Sequence, residues 1–239
     1  HLDLLALSIG ADLVDITGEN RILAYHGMLN LREHMRPGIR AMLQVAGIEE
    51  APKTVRDMSF SLGPRINAAG RVGHALTAAK LLMANDEGSA LELASQLETM
   101  NQARRDIDED LTEEAIALMA EQPPGRSCTI VHGEGWHRGV LGIVASRLVE
   151  QRYCPTIVLS EENEVLTGSA RSVPGIDIHE AFEKCRHLIE QFGGHPMAAG
   201  LTIRKENMDA FTTELNAAIT AQTEDDIPKP TVSFHMPIN

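Results

Sequence analysis

Three stretches of the sequence combine arginine, serine or histidine with glycine, a combination suited to binding phosphate. The first, "LGPRINAAGRV" (62–72), places Arg65 and Arg71 six residues apart with Asn67 between them. A guanidinium offers a planar fork of N–H donors that matches phosphate oxygens, and small neighbours let an anion reach backbone N–H groups. A loop at a helix end, whose arginines pair with surface carboxylates, explains the residues equally well from spacing alone.

The second stretch, "GSARSVPGIDIHEA" (168–181), places Ser169, Arg171 and Ser172 at the end of a predicted strand and before a predicted helix. Side chains alternate across a strand, so Ser169 and Arg171 share one face. Hydroxyl and guanidinium groups in a turn suit an anion. Spacing alone nevertheless favours a purely structural explanation, a polar edge strand followed by an ordinary helix start.

The third stretch, "FGGHPMAAG" (192–200), surrounds His195 with small residues. Gly193 and Gly194 precede the histidine and Pro196 follows it. Glycine permits backbone angles that other residues avoid, and it lets a ligand approach the main chain closely. The loop is therefore either a tight structural turn or a binding loop.

Two further candidates are weaker by pattern alone. His137 follows the only tryptophan, Trp136, ahead of an apolar helix whose N-terminus suits an anion. The glycine spacing there is not a dinucleotide fingerprint, and a packed tryptophan with a satisfied histidine is the commoner arrangement. Asp12 ends an apolar run and is a turn residue by pattern, since hard cations require several oxygen ligands.

Composition narrows the class of protein. The 239 residues carry 21 basic and 34 acidic side chains, a net charge of -13. The acids concentrate in segments such as "DIDEDLTEE" (106–114), predicted to be an exposed helix face, so a locally basic cleft remains compatible with nucleic acid. Aromatic residues, at 3%, are too few for a surface built mainly on base stacking.

Three dispersed cysteines support neither a zinc site nor a disulfide framework. The absence of a signal peptide and of an apolar run long enough to span a membrane predicts a cytoplasmic protein.

The elements that position these residues change type along the chain. The predicted elements before the "PPG" break at 123–125 are a strand or buried helix at 2–9, helices at 21–34 and 37–48, a mixed segment ending in a Gly-, Pro- and Arg-rich loop at 51–72, a helix at 75–84 and one very long helix at 87–122. That last helix, about 45 Å long, suits a strut joining two lobes. After the break, strands alternate with helices, one of them at 177–192, which predicts an α/β layered domain.

Four stretches taken together resemble the RecJ single-strand-specific exonucleases of the DHH phosphoesterase superfamily. They are "DLLALSIGADLVDITGENRILAYHG" (3–27), the segment 62–72, "GWHRGVLGIVASRL" (135–148) and the pair "TGSARS" and "FGGHPMAAG". Each alone is weak, but their order along nearly the whole chain makes the resemblance specific.

The resemblance implies an α/β fold of two lobes joined by a long connector helix, with a mixed sheet and flanking helices in the C-terminal lobe. Residues 1–75 would be the C-terminal part of the catalytic domain, and 76–125 the connector helices. Residues 126–222 would be the DHH-associated, substrate-binding domain, and 223–239 a linker into a truncated oligonucleotide-binding barrel.

The implied activity is degradation of single-stranded DNA from its 5′-phosphate end, with Mn²⁺ or Mg²⁺, in recombination and repair, alongside other repair proteins and away from membranes. Asp12 would bind metal and be catalytic, and His195 would be catalytic while donating to a phosphate oxygen. The implied substrate-binding residues are Arg65, Asn67, Arg71, His137, Ser169, Arg171, Ser172, Gly193, Gly194 and His195.

The departures from the family pattern also carry expectations. The DHH motif and the earlier aspartate motifs are missing from these 239 residues, and a two-metal mechanism needs several carboxylates and imidazoles. We therefore expect an excised central piece of a longer enzyme, inactive as a nuclease by itself but able to bind nucleic acid. The alternatives are a DHH phosphoesterase acting on short oligonucleotides or cyclic dinucleotides, and a non-catalytic nucleic-acid-binding module.

Overall fold

A long helix contains the boundary between two units of the chain. The structure, a computed structural model, describes residues 1–123, 125–223 and 230. Its two units are His1–Asp106 and Ile107–Asn239. The predicted linker at 223–239 lies, apart from Thr223 and Pro230, outside the described residues.

The first unit is built from helices packed around aliphatic side chains. The helices are α1 (Leu2–Ala11), α2 (Gly18–Glu33), α3 (Pro37–Val45), α4 (Val55–Ser61), α5 (Gly63–Val72), α6 (Ala75–Leu82) and the first part of α7 (Glu87–Ala120). Leu31, Ile39 and Met42 are fully buried in its core. Pro37 begins α3, where its missing N–H leaves no intrahelical bond unmade. No helix of the described part of the chain is long and apolar enough to cross a membrane.

The prediction of a Gly-, Pro- and Arg-rich loop at the end of the segment 51–72 is wrong, because the segment forms α4 and α5. Thr54 and Asp57 make a reciprocal capping box that begins α4, with Asp57 N–H donating to Thr54 Oγ1 at 3.1 Å. Pro64 lies in the first turn of α5, where proline is tolerated. Packing of the small buried side chains of this helix outweighs the low helix propensity of its glycines.

Helix α7 confirms the predicted long helix, with 34 residues and therefore a length of about 51 Å. The expectation of a fully exposed acidic face is wrong at Asp108, which is completely buried. Arg147 Nη2 donates to Asp108 Oδ2 at 2.7 Å. A buried carboxylate needs such a partner, and sequence alone gave no sign of an arginine 39 residues away.

The second unit confirms the predicted α/β class with a mixed five-stranded sheet. Its elements are β1 (Thr129–Glu134), α8 (Leu141–Gln151), β2 (Thr156–Glu162), β3 (Val165–Arg171), α9 (Ile178–Lys184), β4 (Ile189–His195), β5 (Ala198–Arg204) and α10 (Met208–Thr223). The strand order is β1-β2-β3-β5-β4. Strands β1 and β2 are parallel, and the other pairs are antiparallel.

The single helix predicted at 177–192 is wrong in its second half. Asp177 caps α9, accepting a hydrogen bond from Glu180 N–H at 2.9 Å, and the helix ends at Lys184. The chain then makes a 3₁₀ turn and enters β4, which pairs with β5. Because β4 has a bulge between Ile189 and Gln191, its apolar residues are not two apart, and this hides the strand pattern in the sequence.

The two faces of the sheet are covered differently. Side chains of α9 and α10, such as Phe182 and Phe211, form a large core with one face. On the other face α8 packs against β2 and β3, with Val144 and Val158 fully buried. Most outward positions of β5 and β4 on that second face are exposed or half-buried.

One ion pair in the first unit should make stability depend on pH. Asp3 is only 2% exposed. Burial by itself would raise the pKa of Asp3, and it is the largest single effect. The hydrogen bonds from Arg36, the backbone hydrogen bond from Leu4 and the positive charges of Arg36 and the N-terminal amine together outweigh it and hold this pKa below its ordinary value. The pair therefore stabilises the fold above the ordinary carboxyl pKa of about 4, and this contribution is lost as pH falls through the folded-state pKa.

We expect Arg36→Ala to lower the free energy of unfolding by about 2 kcal/mol at pH 7, because it removes the guanidinium that pairs with a buried carboxylate. Urea unfolding at pH 7 and at about pH 3 measures this, and the difference from the unsubstituted chain should shrink at the acid pH. Arg40→Ala is the matched control. Its partner Glu87 is 76% exposed, and such surface pairs contribute less than about 1 kcal/mol. Equal losses for the two variants would contradict the prediction.

Candidate nucleic-acid interface

The predicted site residues fall into two groups, one in each unit. Asp12, Arg65, Asn67 and Arg71 lie within His1–Asp106, and the others lie within Ile107–Asn239. The second group gives the clearer geometry because the sheet fixes its register.

The sheet register brings four predicted residues onto one face. Ser169 lies opposite Gly200, which lies opposite Gly193, and this row crosses β3, β5 and β4. The next row consists of Arg171, Ala198 and His195. The outer strands of such a row are about 10 Å apart. The sheet therefore places a hydroxyl, a guanidinium and an imidazole around a patch of glycine and alanine, whose small side chains leave the backbone accessible.

Arg171 lies beside the first turn of α8. A Cβ atom built on Gly142 would approach Arg171 Nη2 to 2.7 Å, so a side chain at that position would displace the guanidinium. Arg171 Nη1 also donates to the carbonyl of Ala170 at 2.8 Å. The N-cap residue of α8, Val140, makes no side-chain capping hydrogen bond, and the first turn of the helix has no acidic residue. The helix dipole and the guanidinium therefore add to a positive potential at the same place, which favours an anion.

His137 and His195 each have Nε2 as the ring nitrogen that can donate a hydrogen bond. His195 Nδ1 accepts a hydrogen bond from the N–H of Met197 at 3.3 Å, and His137 Nδ1 accepts one from Gly139 at 3.1 Å. A ring nitrogen that accepts a hydrogen bond carries no proton, so in each neutral ring the proton is on Nε2. Both side chains are exposed, and both can donate through Nε2 to an oxygen of a ligand.

The two glycines before His195 differ in what requires them. Gly194 has φ of +149°, and a Cβ atom there would lie 2.3 Å from the carbonyl of Ala198, so the hairpin itself needs a glycine. At Gly193 an added Cβ would meet no atom of the described residues within 4 Å. The loop predicted at 192–200 is thus a hairpin whose short turn contains Pro196 and Met197. No contact with the described residues requires position 193 to be glycine.

Ser172 is directed into the protein. It is 7% exposed, and its hydroxyl donates to the carbonyl of Ile176 at 2.8 Å. This contact stabilises the turn between β3 and α9. Its predicted role in substrate binding stays a prediction.

In the first unit, Asp12 ends α1 beside α5. The chain leaves the helix through Leu13, a non-glycine residue with φ of +53°, and Val14 N–H donates back to Ile9 at 3.0 Å. This closing pattern usually has glycine at the position of Leu13. Asn67 Nδ2 on α5 donates to the carbonyl of Ala11 at 3.4 Å, which places the amide next to exposed Asp12.

The two arginines of α5 differ in exposure. Arg71 is exposed one helical turn after Asn67, on the same helix face. Arg65 is 9% exposed, and its guanidinium pairs with Glu98 on α7 and donates to the carbonyl of Ser61 at 2.6 Å. Arg71 is therefore presented to a ligand more openly than Arg65, whose phosphate-binding role stays a prediction.

The donor set for a metal ion is incomplete in this chain. Among residues 1–123, 125–223 and 230, no three His, Cys, Asp or Glu side chains are grouped closely enough to hold a metal. Asp12 offers one carboxylate, whereas Mg²⁺ and Mn²⁺ sites use several oxygen ligands. The described residues by themselves do not fit a two-metal centre, so no reaction step is assigned to a metal on them.

Sequence reasoning missed three residues that shape the sheet site: Gly142, Ala198 and Gly200. Gly142 was visible as part of "GVLGIV" but had no evident partner. Ala198 and Gly200 alternate with buried residues in β5, a period of two that identifies their face. Only the register shows that they separate Ser169 and Arg171 from Gly193 and His195.

Comparison with known proteins adds a family assignment. Residues 105–221 match the DHHA1 domain model. Over 231 residues the chain is 39% identical to the single-stranded-DNA-specific exonuclease RecJ of Bacillus subtilis, covering 95% of this chain and 29% of that protein. It is 40% identical to the protein of that name from Haemophilus influenzae, covering 91% of this chain and 40% of the relative. The chain thus spans well under half the length of these relatives.

Solved structures agree in fold. The crystal structure of RecJ from Thermus thermophilus in complex with Mg²⁺ superposes with a TM-score of 0.83 at 28% identity, covering 95% of this chain and 35% of that one. The Mn²⁺ complex from that organism gives 0.82 over 92% of this chain and 32% of the other. These neighbours bind divalent metal ions.

Proposed function

The chain belongs to the RecJ family of the DHH superfamily, and from this premise we propose that it is part of an enzyme that degrades single-stranded DNA from the 5′ end. Residues 126–222 are its substrate-binding domain, and residues 1–75 contribute to its catalytic domain. The whole enzyme hydrolyses phosphodiester bonds with Mn²⁺ or Mg²⁺ in DNA recombination and repair. Asp12 supplies one of several ligands to the metal, and the remaining ligands come from outside these 239 residues.

The observation that carries this proposal is the pair of rows across β3, β5 and β4. Arg171 lies beside the N-terminus of α8, and the register places it in one row with His195, whose Nε2 is the nitrogen left to donate. Such a patch suits a terminal phosphate, which carries more charge than an internal one and accepts several hydrogen bonds. Gly193 leaves space for the nucleotide to approach the main chain.

In this proposal the residues of the chain bind and orient the substrate. Arg171 and Ser169 hold the 5′-phosphate, and His195 and His137 donate to phosphate oxygens. Arg71 and Asn67 contact the strand beside Asp12. A phosphate held in a fixed place determines which bond reaches the catalytic groups, and this explains a reaction that proceeds from one end. The net charge of -13 does not oppose binding, since the acids concentrate elsewhere.

The test is to measure binding of the 239-residue chain to single strands by fluorescence anisotropy over a range of salt concentrations. We expect a strand with a 5′-phosphate to bind more tightly than the same strand with a 5′-hydroxyl or the corresponding duplex, and affinity to fall steeply with salt. Equal affinity for the three ligands would refute the proposal. A preference for dinucleotides over long strands would favour the short-oligonucleotide phosphoesterase instead.

A second measurement uses the 5′-labelled single strand with Mn²⁺ present. Because Asp12 is the one matched metal ligand, we expect no release of nucleotides by this chain alone. Robust turnover would show that the described residues assemble a metal centre by themselves.

A further inference from the structure

The polar surface of the sheet continues beyond the two rows of the site. Thr167 lies opposite Thr202, which lies opposite Gln191, in a third row on the same face. The hydroxyls of Thr167 and Thr202 are 3.2 Å apart and bond to each other. Both threonines are half-buried and Gln191 is exposed. The row therefore has hydroxyl and amide groups at a surface a ligand can reach.

The paired outward positions of these strands carry no carboxylate, although the chain is strongly acidic. We call this surface the sheet strip. Its eleven residues are Val165, Thr167, Ser169 and Arg171 of β3, Ala198, Gly200, Thr202 and Arg204 of β5, and Gln191, Gly193 and His195 of β4. None is Asp or Glu, in a chain with 34 acidic residues. Glu190, at the bulge, pairs with Arg204 at 2.7 Å at the far end of the strip. Arg204 is therefore neutralised, and the positive charge of Arg171 at the other end, with no acidic residue at the positions between, suits a polyanion.

The surroundings of the sheet strip leave a bound strand only one direction in which to lie along the sheet. Toward β2 the face is covered, since α8 packs on β2 and β3. Beyond Arg171 and His195 the strands β3 and β4 end. A chain anchored at those residues and lying on the sheet therefore passes over Gly200 and Gly193 to the threonine row, about 13 Å from the anchor.

We propose that the sheet strip is the track of the bound single strand beyond its terminal nucleotide, with Thr167, Thr202 and Gln191 as binding residues. This inference rests on the proposed function. Neutral hydroxyl and amide groups that contact phosphate and sugar carry no base preference, so the track holds any sequence. Its effect depends on strand length, because a single nucleotide anchored at Arg171 and His195 does not reach the third row.

The experiment places a carboxylate in the strip. Thr202→Glu should weaken binding of a 5′-phosphorylated strand of about 12 nucleotides by roughly tenfold or more, measured by anisotropy. A nucleoside 5′-monophosphate, used as a competitor, should bind the variant and the unsubstituted chain alike. Thr213→Glu is the matched control, since it makes the same charge change at an exposed position of α10, which packs on the opposite face.

A second variant of Thr202 tests the track without introducing a charge that could disturb folding. Thr202→Val keeps the shape and strand propensity of threonine and removes only the hydroxyl, and we expect it to weaken binding of the long strand about threefold. Unchanged affinity of both Thr202 variants for the long strand, or equal losses for the long strand and the nucleoside monophosphate, would overturn the proposed track. Neither result would touch the proposed function, which fails instead if the unsubstituted chain does not prefer 5′-phosphorylated single strands.

Discussion

Arg171→Ala is expected to lower the affinity of the chain for a 5′-phosphorylated single strand by roughly 10- to 100-fold, which corresponds to the loss of charge-assisted hydrogen bonds to a phosphate. The guanidinium lies beside the N-terminus of α8 and in one row with His195, so its removal takes away the strongest positive charge of the patch. The slope of log affinity against log salt should also become shallower by about one phosphate contact. Anisotropy titrations at several salt concentrations measure both quantities.

The controls separate this contact from general electrostatics. Arg186→Ala removes the same charge from an exposed side chain next to α9, where its partner is Glu183, and should leave binding nearly unchanged. Arg171→Lys keeps the charge but loses the planar fork, so it should restore only part of the affinity. His195→Ala should weaken binding with little change in the salt slope. Equal affinity of Arg171→Ala and the unsubstituted chain, with both folded, would show that the patch does not bind the strand.

Gly168→Ala and Gly193→Ala should have opposite consequences although both glycines lie in the same sheet. A Cβ atom on Gly168 would lie 2.0 Å from the carbonyl of Val158 in β2. The neighbouring strand would have to move, and we expect the free energy of unfolding to fall by roughly 2–4 kcal/mol. A Cβ atom on Gly193 meets no described atom within 4 Å, and alanine in a strand restricts the unfolded chain. Stability should therefore stay equal or rise by about 0.5 kcal/mol.

For the affinity of the chain for the strand, we expect Gly193→Ala to matter more than Gly168→Ala. Gly193→Ala places a methyl group where the nucleotide approaches the main chain, so affinity for the 5′-phosphorylated strand should fall roughly tenfold or more, by steric exclusion. Urea unfolding and anisotropy on the same preparations measure the two effects. A Gly193→Ala chain that binds normally would mean that this glycine makes no room for a ligand, and a Gly168→Ala chain of unchanged stability would mean that β2 and β3 are not held as close as the structure has them.

Some predictions from the sequence needed only local chemistry. The 34-residue helix α7 is readable because its apolar positions recur at helical spacing over many turns. The alternation of strands and helices after residue 126 gives the α/β class, and the period of two in β3 puts Ser169 and Arg171 on one face. The family resemblance depends on motifs that survive in the linear order of the chain.

Other features were decided by contacts between distant segments. The segment 62–72 is a helix because its alanines pack in a core, although glycine and proline in isolation indicate a loop. Strand β4 exists because β5 pairs with it across a bulge. The same is true of Asp108, which is buried because Arg147 reaches it. Propensity is a weak signal beside tertiary packing.

The sequence by itself determined which side chains could bind phosphate and that Ser169 and Arg171 face the same way. Only the tertiary structure decided that Gly200 and Ala198 join them to Gly193 and His195 in two rows, and that Gly142 makes room for the guanidinium. The physical reason is that strand register and helix packing are set by burial of the opposite face, which involves residues far apart in the chain, whereas side-chain alternation follows from the geometry of one strand alone.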